Sequence, residues 1–295
     1  MIITKNNSLQ IQRLLWLNLL IIIVILPRTV YSQNDEMKPY RIGLTPVFLA
    51  NKTSFIRDWK DYLERQLNTP VSFIQRQTYQ EVTDLLLSGE LDAAWLCGYP
   101  FISHQDQLSL LAVPVYRDKP VYQSYLIVPS SDSETRSIED LKNKIFVYSD
   151  PNSNSGFLYP QVSLIKMGIN PRHFFRKTFF AWSHQDVVRA VAEGLAHGGS
   201  VDGYVWDSIT MINPELTTQT RVVSKSEEFG FPPFVVNNDL SEDRQNALKH
   251  ALLQMENNKS GIKLLNKLNL DRFSNNQLSL YEGIAEMIKV FHSTQ

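Results

Sequence analysis

The chain has 295 residues, with 29 basic and 30 acidic side chains and one cysteine. This length allows one large domain or two lobes. The formal net charge of −1 gives no support to a nucleic-acid binder, which carries a basic face or stripe. One cysteine excludes an internal disulfide, a zinc finger and an iron–sulfur site, so neither a metal nor another cofactor is expected.

The first 32 residues have the pattern of an export signal. Basic residues precede an apolar run at 14–26, which is short for a bilayer span, and Pro27 ends it. Val30 and Ser32 offer the small-x-small pattern that signal peptidase needs. We therefore expect a signal peptide over residues 1–32, with an uncleaved N-terminal anchor as the alternative. No cysteine follows the run, which excludes a lipoprotein anchor.

Cleavage would remove Lys5, Arg13 and Arg28 and no acidic side chain, so the net charge would change from −1 to −4. No later apolar run approaches the length of a membrane span. The sequence therefore predicts an exported protein with no stable membrane insertion after cleavage.

Strand-like and helix-like segments alternate along the remaining chain. Strands are predicted at 40–46, 71–76, 91–97, 108–116, 121–129, 145–150, 174–182 and 201–207. Helices are predicted at 55–67, 79–90, 137–143, 155–168, 183–196, 241–256, 260–268 and 277–292. This alternation predicts an α/β protein with mostly parallel sheets flanked by helices.

The alternating pattern restarts near residue 121, which predicts two lobes with a ligand cleft between them. We assign 33–120 plus 225–295 to lobe 1 and the inserted segment 121–224 to lobe 2. The chain is expected to cross between the lobes near 117–124 and again near 205–225.

The segment DPNSNSG at 150–156 follows a predicted strand and directly precedes a predicted helix. A helix N-terminus leaves backbone N–H groups free and favours negative charge, so Ser153, Asn154, Ser155 and Gly156 form a candidate anion site. The segment lacks the lysine of a Walker A loop. The alternative is an ordinary polar loop that caps a helix.

A second helix start places His184 directly after Ser183, where the imidazole is available as a donor to an anion. The alternative is a structural histidine. Two helix N-termini at the ends of neighbouring parallel strands would face the same edge of the sheet, where ligands bind.

Five further residues are candidates for the cleft. Gly98 permits close backbone approach, and Tyr99 can offer a hydroxyl. Cys97 is either a buried small hydrophobe or a thiol facing the cleft. One parity of the crossing strand should face the cleft, which selects Tyr125 with Tyr122 as the alternative. Asp207 is either a helix cap or an acceptor for a protonated ligand oxygen.

These segments together resemble a known family. The order VYSDPNSNSGFLYP, MGINPRHFF and AWSHQDVVRAVAEGLAHGGSVDGYVWD, with GELDAAWLCGYPF before it, is similar to the phosphate/phosphite/phosphonate-binding proteins of ABC transporters. The resemblance covers nearly all of 39–260 and includes the family's Gly-x-Val-Asp strand at Val201-Asp202. It implies a type II periplasmic-binding-protein fold that closes like a Venus flytrap on a tetrahedral oxyanion.

The resemblance also implies residue roles. Ser153, Asn154 and Ser155 would bind ligand oxygens, His184 would add a donor, and Tyr99 with Tyr125 would close from the other side of the ligand. The chain departs from the family pattern at Asn154, where threonine is common, and at Gln185, where an acid commonly follows the histidine. Cys97 is familiar from members of the family that sense arsenite, although arsenite prefers several soft ligands.

Three functions compete at this point. The first is a non-enzymatic receptor that delivers a small anion to an ABC permease. The second is a sensory subunit that presents an oxyanion, or arsenite held by Cys97, to the ectodomain of a membrane histidine kinase. The third is a hydrolase that uses Cys97 with His184, which requires the two groups within about 3.2 Å of each other.

Overall fold

The computed structural model describes residues 38–45, 53–275 and 277–294. The predicted signal peptide lies outside these residues. The strands are β1 (Tyr40–Leu44), β2 (Val71–Gln75), β3 (Ala93–Trp95), β4 (Leu108–Val115), β5 (Val121–Tyr122), β6 (Ser124–Pro129), β7 (Ile145–Tyr148), β8 (Lys177–Phe180), β9 (Gly198–Asp202), β10 (Thr220–Lys225), β11 (Phe229–Gly230), β12 (Phe234–Asn237) and β13 (Arg272–Ser274).

Helices flank these strands. They are α1 (Thr53–Leu67), α2 (Tyr79–Leu87), α3 (Gly98–Ser103), α4 (Tyr159–Lys166), α5 (His184–Ala192), α6 (Gly203–Ile212), α7 (Pro214–Thr218), α8 (Glu242–Leu253), α9 (Lys259–Leu268) and α10 (Glu282–His292). Among the residues described, no helix combines the length and apolar character needed to cross a membrane.

Two sheets organise the described part of the chain. One has the strand order β13-β4-β12-β3-β1-β2, and the other has the order β10-β6-β9-β7-β8. In the first sheet β1 runs parallel to β2 and β3, and in the second β7 runs parallel to β8 and β9. The other pairings within these sheets are antiparallel, so the sheets are mixed rather than mostly parallel as the sequence predicted.

The mixed pairing has a topological cause. The chain leaves the first sheet after β4, enters the second at β6, and returns from β10 to β12. The outgoing and returning segments lie side by side, with β5 antiparallel to β11 and Ser226 N–H donating to Ser124 O (2.9 Å). The first crossing agrees with the prediction near 117–124, whereas the second lies after β10, later than the predicted 205–225.

Aromatic side chains fill the core beside the first sheet. Trp59 projects from α1 together with Phe55, Tyr62 and Leu63, a helical spacing that buries one face. The Trp59 ring lies 6.2 Å from Trp95 in an edge-on arrangement. Burial of these rings ties α1 to the sheet and positions the end of β3, from which the segment 97–99 follows.

The strand predicted at 201–207 is wrong at both its first and its last residue. β9 covers Gly198–Asp202, and α6 begins at the next residue. The alternation of apolar residues in VDGYVWD hides the boundary, whereas the glycines before it belong to the strand. A Cβ on Gly199 would lie 2.7 Å from both Val147 and Val187, so only glycine fits under these packed neighbours.

Candidate functional site

The segment 150–156 is closed by its own side chains. Ser153 caps the turn of π-helix at Asn154–Leu158 by accepting a hydrogen bond from Gly156 N–H (3.0 Å). One carboxylate oxygen of Asp150 accepts from Asn152 N–H (2.7 Å), and the other accepts from Tyr79 N–H (3.1 Å) at the start of α2. Asp150 therefore fixes the loop and joins it to the first sheet's side of the molecule.

Asn154 lies fully buried between elements of the two sheets. Its backbone N–H donates to the Cys97 sulfur (3.2 Å), and its side-chain amide donates to the Tyr122 hydroxyl (2.9 Å). The carbonyl oxygen of Ser155 accepts from the hydroxyls of Ser124 and Ser200, each at 2.8 Å. Residues predicted separately at Cys97 and at 153–156 thus meet in one place.

Several buried polar atoms in this place have no hydrogen-bond partner. They are Tyr79 OH, Ser149 Oγ, Asn154 Oδ1 and Ser155 Oγ. A buried polar atom without a partner costs about 1–3 kcal/mol, so a native protein rarely leaves several together unless something else binds them. We call Tyr79, Cys97, Tyr122, Ser149, Asp150, 153–156, His184 and Asp202 the buried polar cluster.

His184 is a buried, neutral imidazole. It is the first residue of α5, after the N-cap Ser183, and its Nδ1 accepts from Asp202 N–H (3.1 Å). Complete burial lowers the pKa of the imidazole from 6.5 to about 3. The remaining proton of the neutral ring is therefore on Nε2. The ring lies against the segment 150–156, because a Cβ on Gly156 would be 3.1 Å from His184 Cε1.

The cluster contains two carboxyl groups, those of Asp150 and Asp202, and the predicted site residues included neither. Asp202 is the last residue of the strand β9. It caps α6 by accepting from the backbone N–H groups of Tyr204 (2.8 Å) and Val205 (3.3 Å). Burial raises the pKa of its carboxyl from 3.8 to about 7, against the lowering effect of these two hydrogen bonds. The Val201-Asp202 motif was the available signal, but the misplaced strand end directed attention to Asp207.

Cys97 is a protonated thiol that contacts the loop. It occupies the N-cap of α3, and burial raises the pKa of the thiol to about 12. Gly98 has no space for a side chain, since its Cβ would lie 2.6 Å from the end of Ile284. Tyr99 is half-buried, and its hydroxyl makes no hydrogen bond with the residues that the structure describes.

Tyr125 and Asp207 lie in a neighbouring group of side chains. Asp207 is on α6, where it pairs with Arg117 (3.1 Å) and accepts from Tyr116 OH (3.0 Å) and Tyr125 OH (3.4 Å). Of the two tyrosine positions on the crossing segment, Tyr122 is the one that reaches Asn154. A ligand-binding role for Tyr125 and Asp207 stays a prediction.

Comparison with known proteins places these features in a family. Residues 42–281 match the family described as "ABC transporter, phosphonate, periplasmic substrate-binding protein". The chain is 26% identical over 237 residues to a "probable ABC transporter phosphite binding protein" of Prochlorococcus marinus, covering 76% of this chain and 80% of that one. It is also 26% identical over 211 residues to a phosphate-import protein of Mycolicibacterium smegmatis, covering 67% and 65%.

The fold is shared with solved structures. One is the structure of a Prochlorococcus marinus protein in complex with methylphosphonate, with a TM-score of 0.75, 22% identity and coverage of 86% of this chain and 98% of that one. The predicted two-lobed type II periplasmic-binding-protein fold is thereby confirmed, as is the resemblance inferred from the motifs. The chain belongs to the family of periplasmic substrate-binding proteins of phosphonate ABC transporters.

Proposed function

We propose that the protein captures a small tetrahedral oxyanion of the phosphonate, phosphite or phosphate type in the periplasm and delivers it to an ABC permease. The observation that carries the proposal is the set of unpartnered polar atoms in the buried polar cluster. A tetrahedral oxyanion presents several oxygens in different directions, which suits hydroxyl, amide and imidazole groups converging from several elements.

We propose that the ligand binds between two lobes that close on it, lobe 1 formed by 33–120 plus 225–295 and lobe 2 by 121–224. The Tyr79–Asp150 and Cys97–Asn154 hydrogen bonds join segments assigned to different lobes. These contacts are those of a closed form. Residues 1–32 would serve as the signal peptide that brings the protein to the periplasm.

The cluster contains no lysine or arginine, so attraction to the anion comes from oriented donors rather than from a full positive charge. Ser153, Asn154, Ser155 and Gly156 supply the first turn of a helix, and His184 supplies its Nε2–H. We infer that Asp202 shares a proton with the ligand. With a pKa near 7, the carboxylate of Asp202 accepts a hydrogen bond from the hydroxyl of a singly protonated oxyanion. A fully ionised oxyanion has no such hydroxyl and is repelled by the carboxylate.

The chemistry of the cluster favours binding over catalysis. A cysteine nucleophile requires a thiolate, whereas burial raises the pKa of Cys97 to about 12 and lowers that of His184 to about 3. No Cys97–His184 hydrogen bond occurs among the described residues. A permease and a sensor kinase would receive the same closed form, and we propose the permease because the family is one of transport proteins.

Calorimetric titration with methylphosphonate, phosphite and phosphate, with sulfate as the comparison, tests this function. We expect at least one of the first three to bind and sulfate, which carries no proton near pH 7, to bind far more weakly. Ligand at 100 times Kd adds about 2.7 kcal/mol to the free energy of unfolding, which raises Tm by roughly 5–10 °C. Absence of both heat and a thermal shift with all three anions would overturn the proposal.

Tyr79→Phe is expected to weaken oxyanion binding about tenfold without lowering the free energy of unfolding. The Tyr79 hydroxyl is fully buried and unpartnered, so its removal leaves no protein group unsatisfied. Tyr62→Phe is the matched control, because the Tyr62 hydroxyl donates to Ala251 O (2.8 Å) far from the cluster. That variant should lose about 1 kcal/mol of stability and keep its affinity. The reverse pattern would exclude Tyr79 from the site.

The single thiol reports on lobe closure. Cys97 is buried against Asn154 and has a raised pKa, so in the closed form it should react slowly with a water-soluble disulfide reagent at pH 8. We expect saturating ligand to slow the reaction at least tenfold and denaturant to release it completely. Equal rates with and without a ligand that calorimetry shows to bind would place Cys97 outside the closing cleft.

A further inference from the structure

A cavity of about 820 Å³ lies beside the second sheet, and no residue of the buried polar cluster lines it. Its walls come from the edge strand β8, from α4 and the segment that follows it, and from the C-terminal helix α10. The volume lies within the range of about 300–1,000 Å³ that is usual for small-molecule sites. Walls from three elements suit a compact ligand better than an extended chain.

The charged side chains that line this cavity are all basic. Arg172, Arg176 and Lys177 line it, and none of the described lining residues is an aspartate or a glutamate. The side chains of these three cations are exposed and form no ion pair with a described acid, unlike Arg117, Lys119 and several others. Uncompensated cations around a concave surface raise the local concentration of anions.

The floor of the cavity is aromatic. Phe157 lines it, with its ring 5.6 Å from Phe180 and 5.7 Å from Phe291. Phe175 adds a further ring, which stacks on Phe146 at 4.4 Å. Phenylalanine rings without a polar handle provide contact area for a flat apolar group and no hydrogen bond.

We propose that this cavity is a second binding site, for an anionic small molecule with an aromatic or similarly flat apolar body. The anionic group meets Arg172, Arg176 and Lys177, and the apolar body lies against Phe157, Phe180 and Phe291. Phe157 follows Gly156 directly in the chain, so the second site adjoins the segment that we propose binds the oxyanion.

Fluorescence titration with two probes tests the second site. One probe is 8-anilinonaphthalene-1-sulfonate, and the other is N-phenyl-1-naphthylamine, which has the same rings without the sulfonate. Excess methylphosphonate is present so that the oxyanion site is occupied. We expect the sulfonate to bind at one site, about tenfold more tightly than the neutral probe.

Variants then locate the probe. The triple change Arg172→Ala, Arg176→Ala and Lys177→Ala should weaken binding of the sulfonate about tenfold, because exposed charges contribute modestly, and leave the neutral probe unaffected. The matched triple change at Arg57, Lys142 and Lys259, which are exposed and outside the cavity, should leave both unaffected. Absence of sulfonate binding, or equal losses in the two triple variants, would overturn the proposal. Phe291→Ala should weaken both probes.

Discussion

Gly156→Ala is expected to abolish oxyanion binding, with a loss of affinity of more than about 100-fold. An added Cβ would lie 1.9 Å from Ser149 Oγ and 3.1 Å from His184 Cε1. Rotation of the Ser149 hydroxyl does not relieve the clash, because the added Cβ would also lie 2.8 Å from Ser149 Cβ. Both neighbours are buried, and His184 is held by Asp202 N–H. The loop itself must shift, which costs about 1–3 kcal/mol and displaces Ser155 and Asn154 together. Calorimetric titration measures the loss.

Gly283→Ala is the matched control for this change. Gly283 lies within α10, and its added Cβ would meet only the Phe229 ring at an ordinary 3.6 Å. Because alanine is favoured over glycine in a helix by roughly 1 kcal/mol, this variant should be as stable as the parent or more stable, with the same affinity. Parental affinity in a folded Gly156→Ala protein would show that the loop does not hold the ligand.

The polar loop at 150–156 and the helix start after it were predictable from the sequence because their signal is local, whereas the anion-binding role of the loop stays a prediction. A polar segment with a glycine between a strand and a helix indicates a helix N-terminus whatever the rest of the fold. Ser153, Asn154 and Ser155 lie at that position and are buried. The helix start at Ser183 and His184 was predictable for the same reason. The structure adds that Nδ1 of His184 is already occupied by Asp202 N–H.

Tyr79 was beyond local reasoning, and local reasoning could not choose between Tyr122 and Tyr125. Tyr79 begins an amphipathic helix, where a buried aromatic residue is expected to be part of the core. Its unpartnered hydroxyl, and the hydrogen bond from its N–H to Asp150, which is 71 residues further along the chain, result from the tertiary structure. Tyr122 lies in a two-residue strand, too short for its parity to be determined from alternation. Asp202 was missed because the strand was predicted to end at Asp207. The actual boundary depends on packing over Gly199 rather than on local propensity.

Asp202→Asn should change the pH dependence of the free energy of unfolding by several kcal/mol. Burial raises the pKa of this carboxyl from 3.8 to about 7, so at pH 8 the folded protein holds a buried charge that costs on the order of 4 kcal/mol. As pH falls from 7 to about 4, folding takes up a proton at Asp202 and the cost disappears. Asparagine keeps the cap oxygen for Tyr204 and Val205 without the charge.

His184 has the opposite effect over nearly the same range. Its pKa is lowered from 6.5 to about 3, so its contribution to stability is complete above pH 6.5 and is lost as pH falls toward 3. In the parent protein the contributions of Asp202 and His184 to the slope of unfolding free energy against pH offset each other between about pH 4 and pH 6.5. In Asp202→Asn only the histidine slope remains, and the variant should lose stability steadily on acidification.

The difference in unfolding free energy between Asp202→Asn and the parent protein isolates the carboxyl. That difference should shift in favour of the variant by several kcal/mol between pH 4 and pH 8, as measured by denaturant unfolding. Asp106→Asn, at an exposed aspartate, provides the comparison and should give a constant difference. A constant difference for Asp202→Asn as well would mean that Asp202 is ionised throughout. In that case the charge would repel an oxyanion in the cluster, and the proton-sharing role proposed for Asp202 would fail.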